Sequence, residues 1–180
     1  KSIRASSVYD IAEVTPLTRA NTLSKSSKNN IFLKREDLQP IFSFKLRGAY
    51  NKLSKLKQKG SSSAVVAASA GNHAQGVAYS AKKLGLKSII VMPITTPLIK
   101  INAVKNFGGK VVLFGDNFDE AYEHATMLAK KEDYSFIPPY DDKDVIAGQG
   151  TIGKEILEQA DFKVNAVFVP VGGGGLLAGI

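Results

Sequence analysis

From residue 63 onward, short β-branched or apolar runs alternate with longer stretches whose apolar residues return every third or fourth position, a rhythm that predicts parallel α/β structure. The strand candidates are Ala64 to Ala68, Ser88 to Met92, Val111 to Phe114 and Ala166 to Val171. Helices are predicted over Asn72 to Leu84, Leu98 to Phe107, Phe118 to Lys131 and Ile152 to Gln159, with Gly85 and Gly108 where helices commonly stop. Two apolar stripes read as core: Val77, Ala78, Ala81 and Leu84 in the first of these helices, and Leu46, Ala49, Leu53 and Leu56 in a helical segment after Lys45.

The first sixty residues lack this alternation. Val8 to Val14 precedes Thr15-Pro16-Leu17, the polar stretch Ser24 to Asn30 reads as a turn between extended segments, and Ile31-Phe32-Leu33 follows. Pro138-Pro139 with Asp141 and Asp142 marks a second break, after which a new helix and strand lead to four consecutive glycines, Gly172 to Gly175.

Composition narrows the class. With 180 residues, 44% of them hydrophobic and 22% charged, the chain is long enough for one domain or for a small domain and part of another. No long apolar run is present, so a soluble protein without membrane attachment is expected. The absence of cysteine excludes disulfides and thiolate metal sites, and two isolated histidines leave no metal centre to expect. The net charge of +8 is scattered: Lys52, Lys55, Lys57 and Lys59 read as one solvated helix face, and Lys82, Lys83, Lys130 and Lys131 lie near helix ends. No nucleic-acid partner is expected.

Two loops are predicted at the same address, the carboxyl end of a parallel strand where it turns into a helix: Ser69-Ala70-Gly71-Asn72-His73 and Gly172-Gly173-Gly174-Gly175. There, unpaired N–H groups and the helix dipole favour an anion, and glycine lets the backbone approach a phosphate. Two anion sites suit a phosphorylated cofactor acting on an amino-acid carboxylate. Lys45, in Ser43-Phe44-Lys45-Leu46-Arg47-Gly48, is predicted at the start of a helix, where the dipole and Arg47 would disfavour its charged form and leave a nucleophilic amine. Gly173, Gly175 and Ala178 also satisfy the loose G-x-G-x-x-A form of a dinucleotide site, whose acidic ribose partner would fall beyond Ile180. No phosphate-binding G-x-x-x-x-G-K-[ST] occurs. His73 is read as a loop residue contributing its backbone N–H, His124 as a helix-surface residue, and Lys34-Arg35-Glu36-Asp37 as an ion-paired strand end.

In order and spacing, Ser43-Phe44-Lys45-Leu46-Arg47-Gly48-Ala49, Ser69-Ala70-Gly71-Asn72-His73-Ala74-Gln75-Gly76 and Val171-Gly172-Gly173-Gly174-Gly175-Leu176 resemble the fold-type II pyridoxal-phosphate enzymes (the tryptophan synthase beta-like family) and, within them, the threonine dehydratase group. The likeness covers nearly the whole chain, including Asn117-Phe118-Asp119-Glu120-Ala121 and Ile137-Pro138-Pro139-Tyr140-Asp141. It implies parallel sheets flanked by helices, with a complete small domain at 64–147 and a large domain, built from 1–63 and 148–180, left incomplete. It further implies that Lys45 carries pyridoxal 5'-phosphate and removes the substrate α-proton. Phe44 would pack beside the cofactor, Asn72 would bond its 3-hydroxyl, and Gly172, Gly173, Gly174 and Gly175 would hold its phosphate. Ser69, Ala70, Gly71, Asn72 and His73 would hold the substrate carboxylate. The implied reaction converts L-threonine, and L-serine, to 2-oxobutanoate or pyruvate and ammonia, the first step of isoleucine biosynthesis. A homo-oligomer would carry it out, in the cytoplasm of a bacterium or an organelle of a eukaryote. Serine racemases are similar but place a serine two positions before the loop asparagine, where this chain has Ala70. A reading of another class also stands: a non-catalytic fragment that binds a partner chain, its unpaired strand edges favouring association.

Overall fold

The computed structural model describes residues 1–60 and 63–180. At its centre β3 (Ala64–Ala68) pairs in parallel with β4 (Lys87–Met92) on one side and with the two-residue β6 (Ser135–Phe136) on the other. β5 (Lys110–Leu113) extends the sheet beyond β4, giving the order β5-β4-β3-β6. All five residues of β3 are buried, as a parallel strand covered on both faces requires. The pleat divides them: Val65 and Ala67 join the core with α2 (Lys45–Gln58), α3 (Asn72–Leu84) and α4 (Leu98–Asn106), whereas Val66 and Ala68 meet α5 (Phe118–Lys131). The predicted spans of α3 and α5 agree with the structure residue for residue, because both end on local signals. Gly85 takes φ 69° after α3, and the Asn117 side chain accepts the Glu120 N–H at 3.0 Å before α5.

Four expectations need correction. The helix expected over Ile152–Gln159 is α6 (Lys143–Gln159), begun by Asp142, whose carboxylate accepts the N–H groups of Asp144 and Val145 at 2.9 and 3.1 Å. Within this helix Gly148 and Gly150 mark close crossings. A Cβ on Gly148 would lie 2.6 Å from the Arg47 carbonyl oxygen and 2.7 Å from the Gly48 Cα, so α2 and α6 touch backbone to backbone. Gly148→Ala is therefore expected to cost about 1–3 kcal/mol, read by urea unfolding, since neither backbone can yield without parting the helices.

The polar stretch at 24–30 is not a turn alone: α1 (Asn21–Ser27) occupies most of it, and only Lys28, at φ 54°, turns the chain. The hydroxyls of Ser26 and Ser27 turn back to donate to the Leu23 carbonyl at 3.1 and 2.7 Å, so these polar side chains are satisfied within the helix itself. The extended segments on either side do pair, as the antiparallel β1 (Leu17–Arg19) and β2 (Phe32–Lys34).

Residues 166–171, expected as a strand, form none. A strand is defined by its neighbours, and among the described residues none pairs with this stretch; Phe168 is 94% exposed. The second anion loop therefore does not follow a paired strand. Finally, the lysines of α2 are not one solvated face. Lys52 meets Asp142 at 2.7 Å and Lys55 meets Asp144 at 2.6 Å, tying α2 to the start of α6, and Lys57 donates to the Leu84 carbonyl.

The run Lys34-Arg35-Glu36-Asp37 is ion-paired as expected, and it reaches further than its own strand end. Arg47 is fully buried, with its guanidinium 2.8 Å from Glu36 and 2.5 Å from Glu155, while Lys34 lies 2.6 Å from Glu155. Thr151 and the Glu13 carbonyl accept the remaining guanidinium donors at 3.0 and 3.1 Å. This cluster ties β2 to α2 and α6. The expected boundary at residue 63/64 falls beside Ser61 and Ser62, which lie outside the described residues, and α6 runs through the expected boundary at 147/148.

Candidate active site

Lys45 is the first residue of α2, and its backbone N–H is received by the buried Ser43 hydroxyl at 3.3 Å. Its side chain turns inward: Nζ donates to the Pro139 carbonyl at 2.6 Å and lies 5.6 Å from the centre of the Phe44 ring. Burial holds the amine below the usual lysine pKa. The direction agrees with expectation, but the cause does not. Arg47 faces Glu36 and Glu155, which neutralise its charge, so desolvation rather than Arg47 accounts for the shift.

A cavity of about 280 Å³ opens beside this amine. Phe44, Lys45, Pro139, Tyr140 and Gln149 line it from one side and Gly172 to Gly175 from the other, so residues 127 positions apart in the chain, Lys45 and Gly172, share one space. Gly174 adopts φ 82°, a conformation that turns successive N–H groups toward one concavity. A Cβ on Gly173 would lie 2.3 Å from the Tyr140 ring, and one on Gly175 would lie 2.7 Å from the Tyr140 carbonyl oxygen. At Gly172 and Gly174 no atom stands within 4 Å of such a Cβ. The glycines thus divide into two packed against Tyr140 and two facing open space.

The loop Ser69 to His73 is not part of that lining, yet it is close by. It follows β3 and opens α3, and a Cβ on Gly76 in α3 would lie 3.1 Å from the Lys45 carbonyl. Ser69 and Ala70 are half-buried, Asn72 is exposed at the first helical position, and the Gly71 N–H is received by the Ser69 hydroxyl at 3.1 Å. The N–H groups of Asn72, His73 and Ala74 open the helix and have no carbonyl of their own helix to bond. His73 belongs to α3 rather than to the loop. Its ring is buried, 3.0 Å from the Ile137 carbonyl through Nε2, and desolvation lowers its pKa to about 4. His124 is half-buried and stacked on Phe114, ring centres 3.9 Å apart.

The residues not anticipated are Tyr140 and Gln149. In the sequence Pro138-Pro139-Tyr140 reads as a break in periodicity and as part of the family likeness, with no site role, and the contact of Tyr140 with the glycines joins positions 33 to 35 apart. Gln149, its Oε1 accepting the Gly48 N–H at 3.1 Å, lies inside a helix whose beginning the sequence concealed.

A lysine amine and a glycine loop sharing one cavity is the arrangement expected of an aldehyde cofactor bearing a phosphate, and comparison with known proteins bears directly on it. The family described as pyridoxal-phosphate dependent enzyme matches residues 8–180. The chain belongs to this family. Among its curated relatives in the family, the chloroplastic biosynthetic threonine dehydratase of Arabidopsis thaliana is 58% identical over 179 residues, 99% of this chain and 30% of that protein. The biosynthetic L-threonine dehydratase of Pasteurella multocida is 56% identical over 180 residues, 100% of this chain and 35% of that protein. The chain thus spans about a third of the length of these relatives. Among solved structures, the processed form of threonine deaminase isoform 2 from Solanum lycopersicum superposes with a TM-score of 0.95 at 54% identity, covering 99% of this chain and 49% of that one. Maize serine racemase superposes with a TM-score of 0.93 at 32% identity, covering 99% and 54%. The parallel α/β arrangement is accordingly that of the fold-type II pyridoxal-phosphate enzymes. Among the described residues no helix is long and apolar enough to cross a membrane.

Proposed function

We propose that the protein dehydrates and deaminates L-threonine to 2-oxobutanoate and ammonia, and L-serine to pyruvate and ammonia, using pyridoxal 5'-phosphate in the first step of isoleucine biosynthesis. The observation that carries this reading is the desolvated Lys45 amine facing Gly172 to Gly175 across one cavity, in a chain at least 55% identical to several biosynthetic threonine dehydratases.

The residues present suit the cofactor. An amine whose pKa burial lowers gives up its proton more readily and can bond an aldehyde, and the open sides of Gly172 and Gly174 leave room for a phosphate against backbone N–H groups. Phe44 supplies an apolar wall, and Asn72 is the polar side chain assigned to the ring hydroxyl. When bound, pyridoxal phosphate supplies an electron sink that acidifies the Cα–H of the attached amino acid. Lys45 Nζ, neutral once released, accepts that proton, and the Pro139 carbonyl gives the resulting ammonium a hydrogen-bond acceptor. The N–H groups at the start of α3, from Asn72 to Ala74, orient the substrate carboxylate, with Ser69, Ala70 and Gly71 shaping the approach.

Gly173→Ala is expected to weaken cofactor binding at least tenfold by absorbance titration while the thermal midpoint changes little. The new methyl meets the Tyr140 ring, and the exposed loop, rather than the core, gives way. Racemisation is the second reading, since serine racemases share the fold. Ala70 argues against it, because a methyl has no proton to deliver to the other face of the substrate. We further assign residues 64–147 to the small domain, 1–63 and 148–180 to part of the large one, and the whole enzyme to a homo-oligomer of the bacterial cytoplasm or a eukaryotic organelle. The deciding experiment supplies the full-length protein with pyridoxal phosphate and L-threonine and follows 2-oxobutanoate. Product formed while the remaining threonine stays in the L form supports the dehydratase; a D-amino acid accumulating without 2-oxo acid supports the racemase and overturns the proposal.

A further inference from the structure

Residues Ile137 to Tyr140 touch each of the three motifs that build the site. The Ile137 carbonyl lies 3.0 Å from His73 Nε2, the Pro139 carbonyl receives Lys45 Nζ at 2.6 Å, and Tyr140 packs against Gly173 and Gly175. This strut is anchored at one end, where the Ile137 N–H donates to the Val66 carbonyl at 2.8 Å and continues the pairing of β6 with β3. Between Ile137 and Tyr140 stand two prolines, whose rings fix φ and which bring no N–H of their own to bond elsewhere. Val66 holds the Ile137 N–H and the glycines hold Tyr140; between these two anchors the His73 ring grips the Ile137 oxygen, and through the stiff proline pair it helps set the direction of the Pro139 carbonyl. A carbonyl oxygen can only accept, so the bond places a proton on Nε2. The ring can make it while neutral, in keeping with its lowered pKa.

We propose that His73 is a positioning residue: through Nε2–H it fixes the Ile137 carbonyl and so holds the Pro139 carbonyl where it receives the Lys45 amine. The ring acts on the core side of α3, leaving the backbone N–H of the same residue free to face the substrate carboxylate. The inference rests on the reading of Lys45 as the cofactor lysine, but its test does not.

In full-length protein stripped of cofactor, the reactivity of Lys45 toward trace acetic anhydride is measured by peptide mass, with exposed Lys110 as the internal reference. His73→Leu removes the grip, the Lys45 ammonium loses its acceptor, and the neutral fraction rises; reactivity is expected to increase about threefold, equivalent to half a pKa unit. His73→Gln, whose amide N–H reaches the same carbonyl, is expected to return it to the starting value. In the cofactor-loaded enzyme His73→Leu lowers kcat and leaves KM for the amino acid within about twofold. Unchanged Lys45 reactivity in folded His73→Leu, or equal effects of leucine and glutamine, overturns the proposal. Histidine ring NMR on the unmutated protein tests it without any variant. One ring must be neutral and protonated at Nε2 between pH 7 and 8; spectra lacking such a ring overturn the proposal. Failure of pyridoxal phosphate to label Lys45 would instead refute the functional reading and leave the amine-reactivity result standing.

Discussion

Lys45→Ala is expected to lower threonine turnover by a factor on the order of 10⁴ or more, and to abolish the pyridoxyl mass fixed to the protein by borohydride. The size of the effect follows from two tasks falling on one atom. In the function proposed above Nζ is both the amine that bonds the cofactor and the base that takes the α-proton, and the cavity lining contains no second lysine. Stability should change little. Among the described residues Lys45 makes no ion pair, and its hydrogen bond to Pro139 contributes about 1 kcal/mol, offset by the desolvation of the amine. Lys45→Arg is expected to be as inactive, because a guanidinium stays charged and can neither bond an aldehyde nor accept a proton at neutral pH. Turnover near that of the unmutated protein in either variant, or a pyridoxyl label recovered on a different peptide, would remove Lys45 from the role assigned to it.

Arg47→Met is expected to destabilise the protein by about 3–5 kcal/mol in urea unfolding, the largest stability loss foreseen for a single substitution here. The cluster of Lys34, Arg47, Glu36 and Glu155 holds two positive and two negative charges. Removing Arg47 strips Glu36 of its guanidinium, leaves Glu155 with Lys34 alone, and gives the buried set a net negative charge. Methionine fills the space but satisfies none of the acceptors, and the side chain it replaces is fully buried. By contrast, disrupting Arg35 and Asp37, paired at 2.7 Å on the surface, should barely register, because water screens both partners. Acid should act on the same cluster. Burial alone would raise the Glu155 pKa, but hydrogen bonds from Arg47 and Lys34 outweigh it and hold the carboxyl below its ordinary value. A carboxyl whose folded pKa is depressed contributes its full stability above about pH 4 and loses it as the pH falls through the folded value. Asp142, held low by Lys52 and by two backbone N–H groups against the effect of its own burial, loses stability in the same window. Unfolding midpoints should therefore fall below about pH 4, and more shallowly in Glu155→Gln, which begins from a lower stability. An Arg47→Met protein within about 1 kcal/mol of the original would show that the cluster contributes little.

The local pattern of side chains was sufficient to locate the small sheet and its helices. Apolar periodicity and end signals act within a few residues, so Asn117 and Gly85 bounded α5 and α3 without reference to the rest of the chain. The chemistry of the site was also written locally, in a lysine at a helix start and in glycines able to take positive φ. What the linear pattern misjudged were features whose meaning lies across the fold. Lys52 and Lys55 look solvated until Asp142 and Asp144 arrive. Arg47 looks like a neighbour of Lys45, but on a helix residues two apart point to different sides, and its charge is spent on Glu36 and Glu155. The strand expected at 166–171 depends on hydrogen bonds to another segment, and no local preference supplies that segment. The strut from Ile137 to Tyr140, which joins His73, Lys45 and the glycine loop, was likewise hidden, since its contacts run to residues between 33 and 94 positions away. Sequence carries short-range geometry and chemical type; which groups are desolvated, neutralised or brought within hydrogen-bond reach is set only when distant segments pack.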